Sequence, residues 1–238
     1  MTQSPSTREP RAAERKPHGD LVVIGLIGGI GGGKSSVAAL LEDAGAVVID
    51  ADVVGHELLN EPSVRSQIVE RFGMGVLSAR SADPGLPSAI DRKALGAIVF
   101  ADPLARRDLE TILHPRMRAR FEAVIEHGAE FRSAEKSMIV LNAAILLEAG
   151  WDDLCDLIVF VDAPRDERMR RVQEERGWSR EVFEAREEAQ WPCDLKRQRA
   201  DLVITNDAGV DGLKREVQRV QARLAELSCP LIETSNSR

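Results

Sequence analysis

The sequence predicts an α/β protein whose core is a doubly wound, five-stranded parallel sheet. Five short apolar runs rich in β-branched residues alternate with segments whose apolar residues recur at helical spacing. A glycine-rich stretch joins the first run to the first helical segment, where sheets of this class bind phosphates. The runs, which we expect to be strands, are residues 21–27, 46–50, 137–142, 156–162 and 201–205.

The composition fits one globular unit with a sizeable core. The chain has 238 residues, of which 43% are hydrophobic and 30% are charged. Its net charge of -7 lacks the basic excess of a general nucleic-acid-binding protein. We therefore expect no nucleic-acid partner.

The cysteine and hydropathy patterns predict a cytoplasmic protein. The three cysteines form no C-x-x-C pair, which argues against a zinc site or a disulfide framework. No apolar run is long enough for a membrane span, and residues 1–20 lack the apolar region of a secretory signal. We expect no membrane partner, a disordered tail at 1–20, and a flexible tail at 229–238.

The stretch from Gly28 to Ser35 fits G-x-x-x-x-G-K-S/T, the pattern of a phosphate-binding loop. Backbone N–H groups of such a loop surround the phosphates, the lysine reaches their β and γ oxygens, and the hydroxyl ligates Mg²⁺. The dinucleotide fingerprint G-x-G-x-x-G cannot be aligned here, because its last glycine would fall on Lys34 or Ser36. The candidate nucleotide ligands are Gly29, Ile30, Gly31, Gly32, Gly33, Lys34, Ser35 and Ser36, with Ser35 also the candidate metal ligand.

A helix is expected directly after this loop. Val37, Leu40, Leu41 and Ala44 recur at helical spacing, and Gly45 stands where the helix should end. The last helix should pack on the sheet through a stripe within about residues 209–228, formed by Val210, Leu213, Val217, Val220, Leu224 and Leu227.

Two carboxylates stand at the end of the second predicted strand. Asp50 and Asp52 should lie at the same sheet edge as the phosphate loop, because parallel strands share one carboxyl edge. An aspartate near a transferable phosphate can orient an acceptor hydroxyl and take its proton, and Asp52 is the better candidate. The alternative is that Asp52 only caps a helix that begins at Val53.

A long helical insertion separates the second and third predicted strands. It covers about residues 55–130 and is too long for a plain crossover connection. It is either a substrate-recognition subdomain or a purely structural extension, and the residue pattern leaves both open.

Four ordered stretches make residues 22 to about 209 resemble the dephospho-coenzyme A kinases. The resemblance implies a P-loop kinase fold with a helical acceptor-binding insertion and a lid segment at about 164–199. It implies ATP and Mg²⁺ as cofactors, and phosphorylation of the ribose 3′-hydroxyl of dephospho-coenzyme A, the last step of coenzyme A synthesis. The stretches are IGLIGGIGGGKSSVA with GAVVIDAD, DRKALGAIVFADPLARRDLETILHP, AAILLEAGWDDLCDLIVFVDAP, and AREEAQWPCDLKRQRADLVITNDAG.

The resemblance also implies roles for single residues, matched position by position. Lys34 and Asp52 form the catalytic pair, with Asp52 as base. Arg176 and Asn206 join the ATP site, although solvated i,i+4 ion pairs are an alternative role for any arginine of this charged segment. The acceptor-binding set is Asp50, Asp52, His114, Pro115 and Arg186.

Four positions depart from the family pattern. Ile27 replaces a usual threonine, Gly32 a serine, and Ala144 a proline. Asn142 ends the third predicted strand, where an acid could hold magnesium through water, and an asparagine carries no charge. Magnesium should therefore depend first on Ser35 and on an aspartate of the second strand.

Other functional classes stay open at this point. One is another small-molecule P-loop kinase, such as a nucleoside monophosphate kinase, and another is a nucleotide-binding switch or assembly ATPase. A regulatory GTPase is disfavoured, because D-x-x-G follows the loop too soon and no N-K-x-D base reader is present. We expect a monomer or a small homo-oligomer.

Overall fold

The computed structural model describes residues 21–78, 88–130 and 138–228. The predicted tails at 1–20 and 229–238 lie outside these described residues.

The described chain forms one five-stranded, all-parallel sheet with the strand order β2-β3-β1-β4-β5. The predicted fold class is confirmed. In register, Leu26 pairs with Asn142, and Asn142 pairs with Asp50, so three strands end at one edge. The strands are β1 (Val22–Gly28), β2 (Val47–Asp50), β3 (Met138–Asn142), β4 (Leu157–Asp162) and β5 (Leu202–Thr205).

The two outer strands are less buried than the apolar runs predict. In β2, Val47 and Val48 are only partly buried and Ile49 is buried, whereas a continuous apolar run indicates a strand buried on both faces. The physical reason is its place at the edge of the sheet, where one side of β2 has no neighbouring strand from the described part of the chain.

Nine α-helices lie within the described residues, and none is long and apolar enough to cross a membrane. They are α1 (Lys34–Asp43), α2 (Ala51–Leu58), α3 (Pro62–Phe72), α4 (Arg92–Ala101), α5 (Pro103–Glu130), α6 (Arg165–Arg176), α7 (Arg180–Glu188), α8 (Cys193–Gln198) and α9 (Gly209–Ser228). Single 3-10 turns occur at Met74–Val76 and Trp151–Leu154.

Helices α1 and α9 cover one face of the sheet. Leu213, Val217 and Val220 of α9 are buried there, as the predicted stripe requires. Val210 is 68% exposed, so its predicted burial is wrong; packing on the sheet begins one turn later. Gly45, at φ 97°, follows α1 and ends it as expected.

Helix α5 covers the other face, through Met117, Phe121 and Ile125. Phe121 lies edge-on against Trp151, with ring centroids 5.0 Å apart. The predicted insertion therefore shares the main hydrophobic core through its longest helix.

The insertion also has a small core of its own. Asp91 caps α4 by accepting hydrogen bonds from the N–H groups of Lys93 and Ala94. Buried residues from α3, α4 and the segments next to these helices pack together beside α5: Leu59, Val64, Ile68, Val76, Ile90 and Leu95. The insertion is thus a packed layer with a defined position against the sheet.

Candidate active site

The glycine-rich loop turns directly from β1 into α1. Gly31 and Gly33 have left-handed backbone with φ of 72° and 93°, and Gly33 is the N-cap of α1. The Gly32 N–H donates to the Gly29 carbonyl at 3.1 Å and closes the turn. The first N–H groups of α1 have no partner within the helix, so they are available to an anion together with the positive end of its dipole.

Close neighbours explain why three of these positions admit no side chain. A Cβ on Gly29 would stand 2.6 Å from Arg168 Nη1 and 2.8 Å from Cys193 Sγ. A Cβ on Gly31 would strike the Arg168 carbonyl, and one on Gly33 would strike the Asn206 amide. The loop therefore lies tight against α6, α8 and the residue after β5.

Side chains from outside the loop bind its carbonyl groups. Asn206 Nδ2 donates to the Gly32 carbonyl at 2.9 Å, and Arg168 Nη1 donates to the Ile30 carbonyl at 3.3 Å. Arg171 Nη1 donates to the Gly31 carbonyl at 3.4 Å, and its Nη2 to the Asn206 carbonyl at 3.0 Å. Because a peptide's N–H points opposite to its C=O, carbonyls held outward direct the amides of Gly31 and Gly33 inward.

Sequence reasoning missed Arg168 and Arg171. Arg168 is only 5% exposed and also pairs with Glu187 of α7 at 2.7 Å. The available signal was their i,i+3 spacing on a helix that enters from the end of β4, beside the phosphate loop. Asn206, which the resemblance assigns to the ATP site, supports the loop through its Nδ2.

Lys34 lies at the first turn of α1 with a perturbed pKa. Burial, together with the nearby charges of Lys196 and Arg176, lowers the pKa of Lys34 to about 8, and Asp52 opposes part of this shift. Negatively charged phosphates near the ammonium would raise this pKa again. The loop thus carries a cation whose charge an anionic ligand would stabilise.

The Lys196 charge that acts on Lys34 belongs to a buried ion pair. Lys196 is 1% exposed and pairs with Glu148 at 2.8 Å, while its Nζ donates to the carbonyl of Ala144 at 2.6 Å. Glu148 also accepts from the Trp191 N–H at 2.9 Å. Replacing the family's proline by Ala144 preserves this backbone acceptor, since both residues have a carbonyl group.

Asp50 and Asp52 divide two tasks between them. Helix α2 begins at Ala51, and its N-cap is Asp50, whose Oδ1 accepts from the N–H groups of Asp52 at 2.9 Å and Val53 at 3.1 Å. The alternative that Asp52 caps a helix starting at Val53 is therefore wrong. The Asp52 carboxylate is exposed, has no hydrogen bond or ion pair among the described residues, and acts electrostatically on Lys34.

Asn142 connects the ends of β3 and β2. Its Nδ2 donates to Asp50 Oδ2 at 2.8 Å, whereas its buried Oδ1 has no partner in the described part of the chain. Asn142 is 7% exposed, so this bare acceptor is enclosed rather than solvated. Ser35, Asp50 and Asn142 line one cleft of about 480 Å³ between α1 and α2.

Arg176 and Arg186 come together at the ends of α6 and α7. The Arg186 guanidinium lies 4.3 Å and the Arg176 guanidinium 5.2 Å from the ring centroid of Trp178. Neither arginine has an ion pair within the described ranges; by contrast, Arg170 pairs with Glu167 and Glu174, as expected for a solvated helix. Burial and the charge of Arg176 lower the pKa of Arg186.

His114 and Pro115 lie within α5. None of the contacts seen in the described residues joins them to the phosphate loop. The His114 ring meets Trp151 edge-on, with centroids 5.0 Å apart. Burial lowers the pKa of His114, partly opposed by Glu110, and so favours the uncharged ring. Pro115 cannot donate the helical hydrogen bond to the Thr111 carbonyl, although α5 continues through this position.

The loop geometry predicts a sharp cost for one added methyl group. Gly33→Ala should weaken nucleotide binding by about tenfold or more, because its Cβ meets the Asn206 amide at a left-handed position. Gly150→Ala is the matched control, since its φ is 69° and nothing lies near its Cβ. Calorimetric titration with ATP should show a loss of affinity for Gly33→Ala and not for Gly150→Ala, and a thermal melt should show that both variants are folded. Equal affinities of the two variants would contradict the tight fit.

The perturbed Lys34 predicts proton uptake on nucleotide binding. Because the pKa of Lys34 is about 8 in the free protein, half of the molecules carry an uncharged Lys34 at pH 8. Bound phosphates should raise this pKa and return the side chain to its protonated form. At about pH 8.5 binding should take up protons, and affinity should fall as pH rises further. Calorimetry in buffers of different ionisation enthalpy measures this; unchanged proton uptake in Lys34→Arg would assign it to another group.

Comparison with known proteins shows the family of this chain. A model of the dephospho-CoA kinase family matches residues 22–212. The dephospho-CoA kinase of Geobacter sulfurreducens is 41% identical over 203 residues, covering 84% of this chain and 98% of the relative. A solved Thermus thermophilus structure aligns with a TM-score of 0.70 and 33% identity over 86% of this chain and 98% of its own.

A Campylobacter jejuni dephospho-CoA kinase structure shares the fold, with a TM-score of 0.62 and 23% identity over 87% of this chain and 98% of its own. The predicted resemblance is confirmed, and the chain belongs to the dephospho-CoA kinase family.

Proposed function

We propose that this chain carries out the reaction of its family: transfer of the γ-phosphoryl group of ATP to the ribose 3′-hydroxyl of dephospho-coenzyme A, giving coenzyme A and ADP. The observation that carries the proposal is the pairing of a phosphate loop with a free carboxylate. Lys34 stands on the loop, and the Asp52 carboxylate, which acts electrostatically on it, has no hydrogen bond or ion pair within the described residues.

Asp52 acts as the general base. It accepts the proton of the acceptor hydroxyl while that oxygen forms its bond to the γ-phosphorus and the bond from the phosphorus to the departing ADP oxygen breaks. Asp50 makes this possible, because it satisfies the first N–H groups of α2 and leaves the Asp52 oxygens available.

Several cations neutralise the transferred charge. Lys34 binds the β and γ oxygens from the loop side, together with the amides of Gly31 and Gly33. Arg176 of α6 contributes from the lid side, and the lowered pKa of Lys34 reflects in part the closeness of this second cation. Among the described residues Arg176 has no anionic partner, so its charge is available to phosphate.

The residues present fit Mg²⁺. Ser35 offers a hydroxyl, Asp50 a carboxylate, and Asn142 an enclosed amide oxygen without a partner in the described ranges, and all three residues line one cleft. When bound with ATP, Mg²⁺ neutralises the phosphate oxygens. An acid at position 142 would face Asp50 as a like charge, whereas Asn142 donates to it.

The insertion serves as the acceptor domain and residues 164–199 as a lid. Residues Asp50, Asp52, His114, Pro115 and Arg186 belong to the acceptor side in this proposal. His114 acts there as an uncharged ring, because burial lowers its pKa, and Trp151 fixes its orientation. Asn206 acts on ATP indirectly, by holding the loop that binds the phosphates.

Purified protein should convert dephospho-coenzyme A to coenzyme A with one ADP released per turnover, in the presence of ATP and Mg²⁺. Mass spectrometry of the product and coupled ADP detection measure this directly. Nucleoside monophosphates serve as the comparison acceptors. Preference for one of them, or ATP hydrolysis that ignores every small acceptor, would overturn the proposal.

The assignment of the base predicts a selective kinetic defect. Asp52→Asn should lower kcat by about a hundredfold or more, because only the proton acceptor is lost, while the Kd for ATP changes by less than about threefold. Asp43→Asn, an exposed change at the end of α1, is the control and should leave kcat unchanged. Near-normal turnover by Asp52→Asn would remove Asp52 from catalysis.

A further inference from the structure

The Arg186 guanidinium lies between two aromatic rings that come from different parts of the molecule. Its centre is 4.1 Å from the ring centroid of Phe100 and 4.3 Å from that of Trp178. Phe100 belongs to α4 of the insertion, whereas Trp178 follows α6 and Arg186 lies in α7. The stack therefore bridges the insertion and the 164–199 segment.

Core packing does not account for Phe100. It is 55% exposed at the end of α4, whereas Leu95 of the same helix is 3% exposed and packs inside the insertion core. The ring instead meets the Arg186 guanidinium, which is attracted to the negative face of an aromatic ring. The feature that distinguishes Phe100 is thus its contact with Arg186.

The stack also brings like charges together without an anion. Trp178 contacts Arg176 as well as Arg186, and neither arginine forms an ion pair in the part of the chain that the structure describes. Two nearby guanidinium groups repel each other, and the negative faces of the rings offset part of that cost. An arginine held in this way keeps its N–H donors free for an incoming anion.

We propose that Phe100 and Trp178 are positioning residues that hold Arg186 between their rings, ready for a phosphate group of the acceptor. The inference rests on the proposed function, which supplies an acceptor with a diphosphate group. The contact with Phe100 holds the Arg186 guanidinium against the insertion. This contact is the reason for placing Arg186 on the acceptor side of the site. The lid arginine and the acceptor domain then approach the phosphates together.

Kinetic measurements test the proposal on the full chain. Phe100→Leu and Trp178→Leu should each lower kcat/KM for dephospho-coenzyme A by about tenfold, while the Kd for ATP changes by less than about threefold. Trp178→Phe keeps a ring and should retain most of the activity. Leu104→Ala removes a 65% exposed apolar side chain in the first turn of α5, close in sequence to Phe100, so it is the matched control.

A double-mutant cycle separates positioning from general structural damage. Phe100→Leu combined with Arg186→Leu should be no worse than Arg186→Leu alone, because the ring acts only through the guanidinium. Additive losses, or full activity in Phe100→Leu, would overturn the proposal while wild-type turnover upholds the proposed function. Failure of the wild type to use dephospho-coenzyme A would overturn both, and unchanged melting temperatures would show that the variants are folded.

Discussion

The binding site depends on carbonyl groups being held away from it. Ile30, Gly31 and Gly32 each lose the freedom to turn a carbonyl inward, because Arg168, Arg171 and Asn206 bind those oxygens from behind. A loop of glycines would otherwise sample many conformations, since glycine has the largest backbone entropy to lose. These side chains select the one in which amides, rather than carbonyls, face a phosphate.

At the end of β2, two aspartates have different roles. Two aspartates stand two residues apart, and the backbone gives only Asp50 the cap position of α2. Its second oxygen is bound by Asn142, so Asp50 is held on both sides. Asp52 lies in the first turn of α2, and its carboxylate is thereby left without a hydrogen bond among the described residues, close enough to Lys34 to act on its charge. Asp50 thus caps the helix, and the Asp52 carboxylate remains available for the reaction.

The sequence was sufficient for the elements that depend on local pattern, namely the strands, the phosphate loop and the helix stop at Gly45. It was insufficient where the outcome depends on tertiary position. Val47 and Val48 have the same apolar pattern as a central strand, and only the strand order shows that they lie at an edge. Likewise, the choice between Asp50 and Asp52 as cap depends on backbone geometry that the residue types do not distinguish.

Arginine shows the same limit and also how the structure resolves it. The 164–199 segment is rich in both charges, and composition alone cannot tell a solvated ion pair from a ligand-binding cation. In the structure Arg165 meets Glu184 and Glu187, whereas Arg186 meets two aromatic rings and no carboxylate of the described chain. Exposed ion pairs contribute little to stability and satisfy their own charge. A guanidinium stacked on rings keeps its charge uncompensated, and in a protein of net charge -7 such groups create a local positive field that attracts phosphate.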